Sequence, residues 1–109
     1  MNLAQQHCST DQGHRALSQE ETALALSALA DWSISGITLV KEYTFLNYYQ
    51  TLAFVNALAW IAHTEDHHPE LWVRYNRVRV EWSTHDTGSL TLNDFICAAK
   101  CEALRQQND

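Results

Sequence analysis

The sequence predicts an α+β fold: one four-stranded antiparallel sheet covered on one face by three helices, in the order α-β-β-α-β-β-α. Three segments open with helix-capping signatures, at Ser18, Asn47 and Thr91. Between them stand two pairs of short strand-like segments, each pair joined by a tight turn, which implies antiparallel hairpins. A chain of 109 residues has room for one hydrophobic core, so all these elements must share it.

Residues 1–16 come first and read as a mobile tail, because they are mostly polar and hold no apolar period. His7, Cys8 and His14 lie in this stretch, but His-Cys-x5-His lacks the paired spacing of a structural zinc site. A single domain is expected over residues 17–109. Ser18 opens SQEE, in which the serine hydroxyl and the Glu21 carboxylate can each cap the other's backbone amide. Leu24, Leu26, Ala28 and Leu29 continue a short helix toward Ala30 or Asp31.

Trp32 and Ile34, then Ile37 and Leu39, flank a turn at Gly36 and predict the first hairpin, its second strand running through Val40 and Tyr43 to Phe45. Asn47 and Gln50 cap a long helix that holds neither glycine nor proline until Pro69. It is apolar around more than half its circumference, so more than one surface must cover it. Leu71 to Tyr75 and the alternation of Val78, Val80 and Trp82 predict the second hairpin, turning near Asn76. Thr91 and Asp94, flanked by Leu90 and Phe95, open a last helix that reaches about Gln106 and carries Cys97 and Cys101 as small buried thiols.

Composition removes several classes of function. The formal net charge of −6 gives no basic footprint for a nucleic-acid backbone, so no direct nucleic-acid partner is expected. No apolar run approaches the roughly 18 residues of a membrane-spanning helix, so no membrane partner is expected either. The amino-terminal stretch has no positive region followed by an apolar one, and three cysteines make a poor disulfide framework. A cytoplasmic protein with free thiols is the expectation.

The chemistry concentrates in HTEDHHPELWVRYNRVRVEWSTH, which holds His63, His67, His68 and His85. His63 and His67 stand four apart, a spacing that on a helix would place both rings on one face and resembles the H-E-x-x-H zinc helix. Glu65, however, falls one place too late to serve a water held between those rings. A metal site from His63, His67 and His85 is one reading; solvated side chains and a helix cap are another. The third is metal-free proton transfer, since an imidazole with a pKa of about 6.5 gives or takes a proton readily near neutral pH. Glu65 and Asp66 would favour the protonated form of any ring they reach.

DHHP, followed by Tyr75, His85 and Asp94, resembles the signature of the pterin-4a-carbinolamine dehydratase family. STHD and the GSLTLNDFICAAK beyond it are similar to that family's passage into its last helix. The resemblance covers roughly residues 18–105.

What the resemblance implies is dehydration of 4a-hydroxytetrahydropterin, such as 4a-hydroxytetrahydrobiopterin, to quinonoid dihydropterin. This recycles the tetrahydropterin used by aromatic amino acid hydroxylases, with no metal and no organic cofactor. It implies His67, His68 and His85 as catalytic imidazoles that also bind substrate, beside Asp66, Ser83 and Thr84 as further substrate-binding residues. The family commonly has a glutamate where this chain has His63; His63 and Glu65 are therefore candidate accessory residues. The pterin is the implied small-molecule partner, a homodimer or homotetramer the implied assembly, and an aromatic amino acid hydroxylase the functional link. Two other functions stand beside this one: a dimerisation module for a homeodomain transcription factor, and a His-ligated metal hydrolase.

Overall fold

The computed structural model describes residues 2–108. The elements are α1 (Gln19–Ser27), β1 (Ser33–Ser35), β2 (Thr38–Thr44), α2 (Tyr48–Glu65), β3 (Glu70–Val73), β4 (Arg77–Trp82) and α3 (Leu92–Asn108). All strand pairs are antiparallel and the sheet order is β1-β2-β4-β3, so the two hairpins meet along β2 and β4. The predicted fold and element order are those observed.

Register explains the core. Leu39, Lys41 and Tyr43 of β2 lie opposite Trp82, Val80 and Val78 of β4, and these six share the face toward the helices. Phe54, Leu58 and Ala62 recur along α2 at four-residue spacing and are buried there, with the Phe54 ring 4.7 Å from that of Tyr43. Phe95 to Ala99 and Cys101 of α3 are buried as well. Lys41 is a cation on this inner face, and Glu102 of α3 answers it; Glu102 Oε1 also accepts from Trp32 Nε1 at 2.9 Å and the Tyr43 hydroxyl at 2.6 Å. A buried charge needs such a partner, and here one carboxylate ties α3 to β2 and to the residue before β1.

The caps at Ser18 and Asn47 form as predicted, the first as a full reciprocal box. At Thr91 only half of the box closes: the Thr91 amide donates to Asp94 Oδ2 at 3.0 Å, while its hydroxyl is within 2.9 Å of the Thr84 hydroxyl.

Residues 2–16 differ from the expected tail, being packed against the domain. They form two short 3-10 turns, Leu3–Gln5 and Gln12–His14, with Leu3 buried and Ala16 bridged to Thr91. The contacts that hold this strap come from α2 and α3: Glu65 accepts the Cys8 amide, Asn93 pairs with Ser9, and Lys100 donates to the Ala4 carbonyl. None of these partners is local, which is why no periodicity in residues 2–16 announces them.

Candidate active site

The helix α2 ends one residue before the histidine pair. Asp66 takes a left-handed conformation (φ 51°, ψ 44°), and the His67 amide then reaches back to the Ala62 carbonyl at 3.2 Å, a six-to-one closure of the helix end. Asp is among the few side chains that tolerate this region. The turn removes His67 from the helical face that carries His63. His67 swings inward, while His63 remains exposed on α2 with its ring 5.8 Å from that of Trp60. The shared face expected from their four-residue spacing is therefore not formed.

Inside, His67 meets two groups that β4 and α3 deliver. Its Nε2 lies 2.7 Å from Asp94 Oδ1, and its ring stacks on Trp82 with centroids 5.7 Å apart and planes 7° off parallel. Asp94 is fully buried, and its other oxygen accepts from the Thr84 hydroxyl at 2.8 Å and the Thr91 amide. With the single Thr84 proton on Asp94, the Thr91 hydroxyl donates to Thr84. A carboxylate accepts only, so His67 donates through Nε2, which leaves Nδ1 as the nitrogen free to exchange a proton.

His67, His68, Ser83, Thr84 and His85 line a cleft of about 460 Å³, together with Asp66 and Glu65. His85 opens a short 3-10 turn after β4, and its Nε2 is 3.2 Å from the Ser83 hydroxyl. Thr84, expected from the resemblance as a substrate contact, lines the cleft and donates its hydroxyl to Asp94 Oδ2. His63 is not among the cleft residues. Among the described residues, no group of three His, Cys, Asp or Glu side chains converges as a metal ion requires.

Glu65 faces the strap. It accepts the Cys8 amide at 2.7 Å and lies 2.9 Å from His7 Nδ1, with Lys100 Nζ at 3.7 Å. Burial pushes its carboxyl upward, yet the Cys8 amide, His7 and the Lys100 charge together outweigh burial and hold it below the usual carboxylate value.

The sequence does not place Asp94 and Trp82 against His67. Asp94 stood in view as a helix-capping residue and as a spacing in the family signature; its contact with His67 spans 27 positions. Nor does it announce the strap: Cys8, Ser9, Thr10 and His14 form one wall of the cleft.

A family model described as pterin 4 alpha carbinolamine dehydratase matches residues 15–104. A Chromobacterium violaceum protein provisionally named as a pterin-4-alpha-carbinolamine dehydratase is 58% identical over 104 residues, 95% of this chain and 96% of that one. A similarly named protein of Nitrosospira multiformis is 51% identical, covering 96% and 94%. Among solved structures, a transcriptional coactivator/pterin dehydratase from Brucella melitensis superposes with a TM-score of 0.79 at 32% identity, covering 83% of this chain and 98% of that one. A pterin dehydratase-like RuBisCO assembly factor of the alpha-carboxysome, at 24% identity and a TM-score of 0.57, shares the fold. With a family model spanning both hairpins and all three helices, and relatives more than half identical over nearly the whole chain, this protein belongs to the pterin-4-alpha-carbinolamine dehydratase family.

Proposed function

We propose that the chain dehydrates 4a-hydroxytetrahydropterin to quinonoid dihydropterin, and that His67, His68 and His85 carry the proton transfers. The observation that carries this reading is His67, backed by the buried Asp94 carboxylate, in a cleft that His68 and His85 also line. The reaction removes the C4a hydroxyl with its bonding electrons and the proton on N5, forming the C4a–N5 double bond and one water. An acid must protonate the leaving hydroxyl and a base must take the N5 proton, tasks worth about 10²- to 10⁴-fold each.

His67 suits the base. A proton arriving on Nδ1 makes an imidazolium, which the Asp94 carboxylate stabilises through Nε2. His85 suits the acid: it enters from the end of β4, held by Ser83, and is exposed enough to be reprotonated from solvent. His68 would orient the heterocycle and serve as a second proton carrier, and Asp66 would help to orient it. No metal or organic cofactor has a part in these steps. The physiological role is recycling of the tetrahydropterin of an aromatic amino acid hydroxylase, in the cytoplasm.

The test follows formation of quinonoid dihydropterin from the carbinolamine by ultraviolet absorbance. His67→Ala and His85→Ala should each lose at least about tenfold in turnover with the fold intact. Full activity in both variants would sink the assignment.

Self-association accompanies this function. Leu46, Tyr48, Tyr49 and Tyr75 are exposed near one end of α2, with the Tyr48 and Tyr75 rings stacked, and Trp60 is exposed further along that helix. β3 is an edge strand with Trp72 and Val73 exposed. Surfaces of this kind fit a homodimer or homotetramer. Light scattering that gave the monomer mass of 12.5 kDa at micromolar concentration would refute it. A coactivator-type interaction role, such as the name of the Brucella melitensis protein carries, would use the same surfaces; a pull-down of a helical partner protein tests it.

A further inference from the structure

The strap supplies the cleft wall that the family model does not include, since that model begins at residue 15. The Chromobacterium relative nonetheless aligns over 104 of the 109 residues, so the strap lies largely within that match. The strap's placement is tightly determined. Asn93 engages Ser9 with both ends of its side-chain amide, accepting from the amide at 3.0 Å and donating to the carbonyl at 2.8 Å. The Ser9 hydroxyl in turn accepts the Gly13 amide at 2.6 Å. A Cβ added at Gly13 would fall 2.1 Å from Asn93 Oδ1, so any other residue there must displace the amide that holds Ser9.

This seat delivers His14 to the cleft. His67, 13% exposed, lies deep in the cleft, with the fully buried Asp94 carboxylate behind it. His14 and Asp86 stand at the mouth, 3.5 Å apart and 36% and 82% exposed. A solvent-facing pair of this kind adds little stability, which makes fold maintenance a poor reason for the arrangement. Its position is instructive: Asp86 directly follows His85, and His14, Asp86 and the imidazole assigned to acid catalysis line the same cleft.

We propose that His14 is a substrate-binding residue, a fourth imidazole of the cleft that holds the polar rim of the pterin through a hydrogen bond while the reacting C4a–N5 bond lies deeper, at His67. The proposal rests on the dehydratase reading. It assigns His14 to binding alone, since the carboxylate beside it, Asp86, is solvent-facing and screened, whereas the one behind His67, Asp94, is buried.

Three variants test it: His14→Ala, His14→Gln, which keeps a hydrogen-bonding side chain, and Gly13→Ala, which displaces Asn93 and Ser9 and so loosens the strap without replacing any imidazole of the cleft. Steady-state dehydration should show KM raised roughly five- to tenfold in His14→Ala, the loss of about one hydrogen bond, with kcat within about twofold of wild type. His14→Gln should recover most of the KM. Gly13→Ala should match His14→Ala in KM while its circular dichroism stays that of the wild type. Titration calorimetry with 7,8-dihydrobiopterin, a pterin that cannot undergo the reaction, should show the same loss of affinity. KM unchanged in His14→Ala, or kcat lost with KM unchanged, overturns the inference while the wild-type turnover upholds the dehydratase reading. A wild type that binds the dihydropterin but turns nothing over fails the reading, and weaker binding by His14→Ala then still upholds the inference. A wild type that binds no pterin removes both.

Discussion

Asp94 and His67 meet at 2.7 Å although one opens the last helix and the other follows the end of the helix before it. The same carboxylate caps the Thr91 amide and holds the Thr84 hydroxyl, so one buried side chain joins helix initiation, the exit of β4 and the site imidazole. Asp94→Asn preserves shape and removes charge. Turnover should fall at least about tenfold, because the amide cannot stabilise an imidazolium. Unfolding free energy should fall by about 1–3 kcal/mol, because one of the donors aimed at the carboxylate then meets an NH₂. Stopped-flow dehydration and urea denaturation measure the two effects separately.

Asp66 offers a way to separate backbone from chemistry. Its left-handed conformation suits glycine, so Asp66→Gly should retain or slightly raise stability, whereas Asp66→Ala should cost about 1 kcal/mol. If the carboxylate orients the pterin, both variants raise KM. A normal KM in Asp66→Gly would assign Asp66 to the turn alone.

His63 occupies the position where the family commonly has a glutamate, yet it lies against Trp60 outside the cleft. His63→Ala should therefore leave kcat and KM within about twofold of wild type. A tenfold loss would show that the α2 surface reaches the reaction by some other route.

Glu65 makes strap attachment sensitive to acid. Its folded-state carboxyl titrates below the ordinary value of 4.5, with the Cys8 amide, His7 and Lys100 outweighing the opposing effect of burial. Its contribution to stability is thus complete above about pH 4.5 and disappears as the pH falls through the lower folded-state value. The difference in thermal midpoint between wild type and Glu65→Gln should be largest near neutral pH and shrink as the pH falls below the ordinary carboxylate value of 4.5. Protection of the Cys8 and Ser9 amides against deuterium exchange, relative to the intrinsic exchange rate at each pH, should fall over the same interval.

Glu102 carries a different duty. Lys41, Trp32 and Tyr43 all donate to one of its oxygens, and burial together with that carboxylate raises the Tyr43 phenol far above its usual range. Glu102→Gln leaves Lys41 without a counter-charge on the inner sheet face and should destabilise the protein by roughly 3 kcal/mol with little change in turnover per folded molecule. Chemical denaturation beside the dehydration assay checks both halves.

Much of this protein is legible one segment at a time. Ser18 and Asn47 find their capping partners three residues away, and the alternation of Val78, Val80 and Trp82 names the buried face of β4 because strand side chains alternate whatever the neighbours are. The cluster of His67, His68 and His85 was visible for the same reason: two are adjacent, and the third stands at the end of a strand whose partner begins just after them.

Tertiary structure decided the rest, and it did so wherever a polar group had to choose between distant partners. Spacing placed His63 beside His67, but the left-handed residue between them and the pull of Asp94 sent the rings apart. Composition made residues 2–16 a tail, but Glu65, Asn93 and Lys100 offered buried hydrogen-bonding groups that the strap satisfies. Periodicity records which face of an element meets the core, and so the elements and the histidine cluster are legible without the fold. Which carboxylate an imidazole finds, and which wall closes a cleft, depend on how the completed elements pack, because only packing brings residues 27 or 57 positions apart within hydrogen-bond reach.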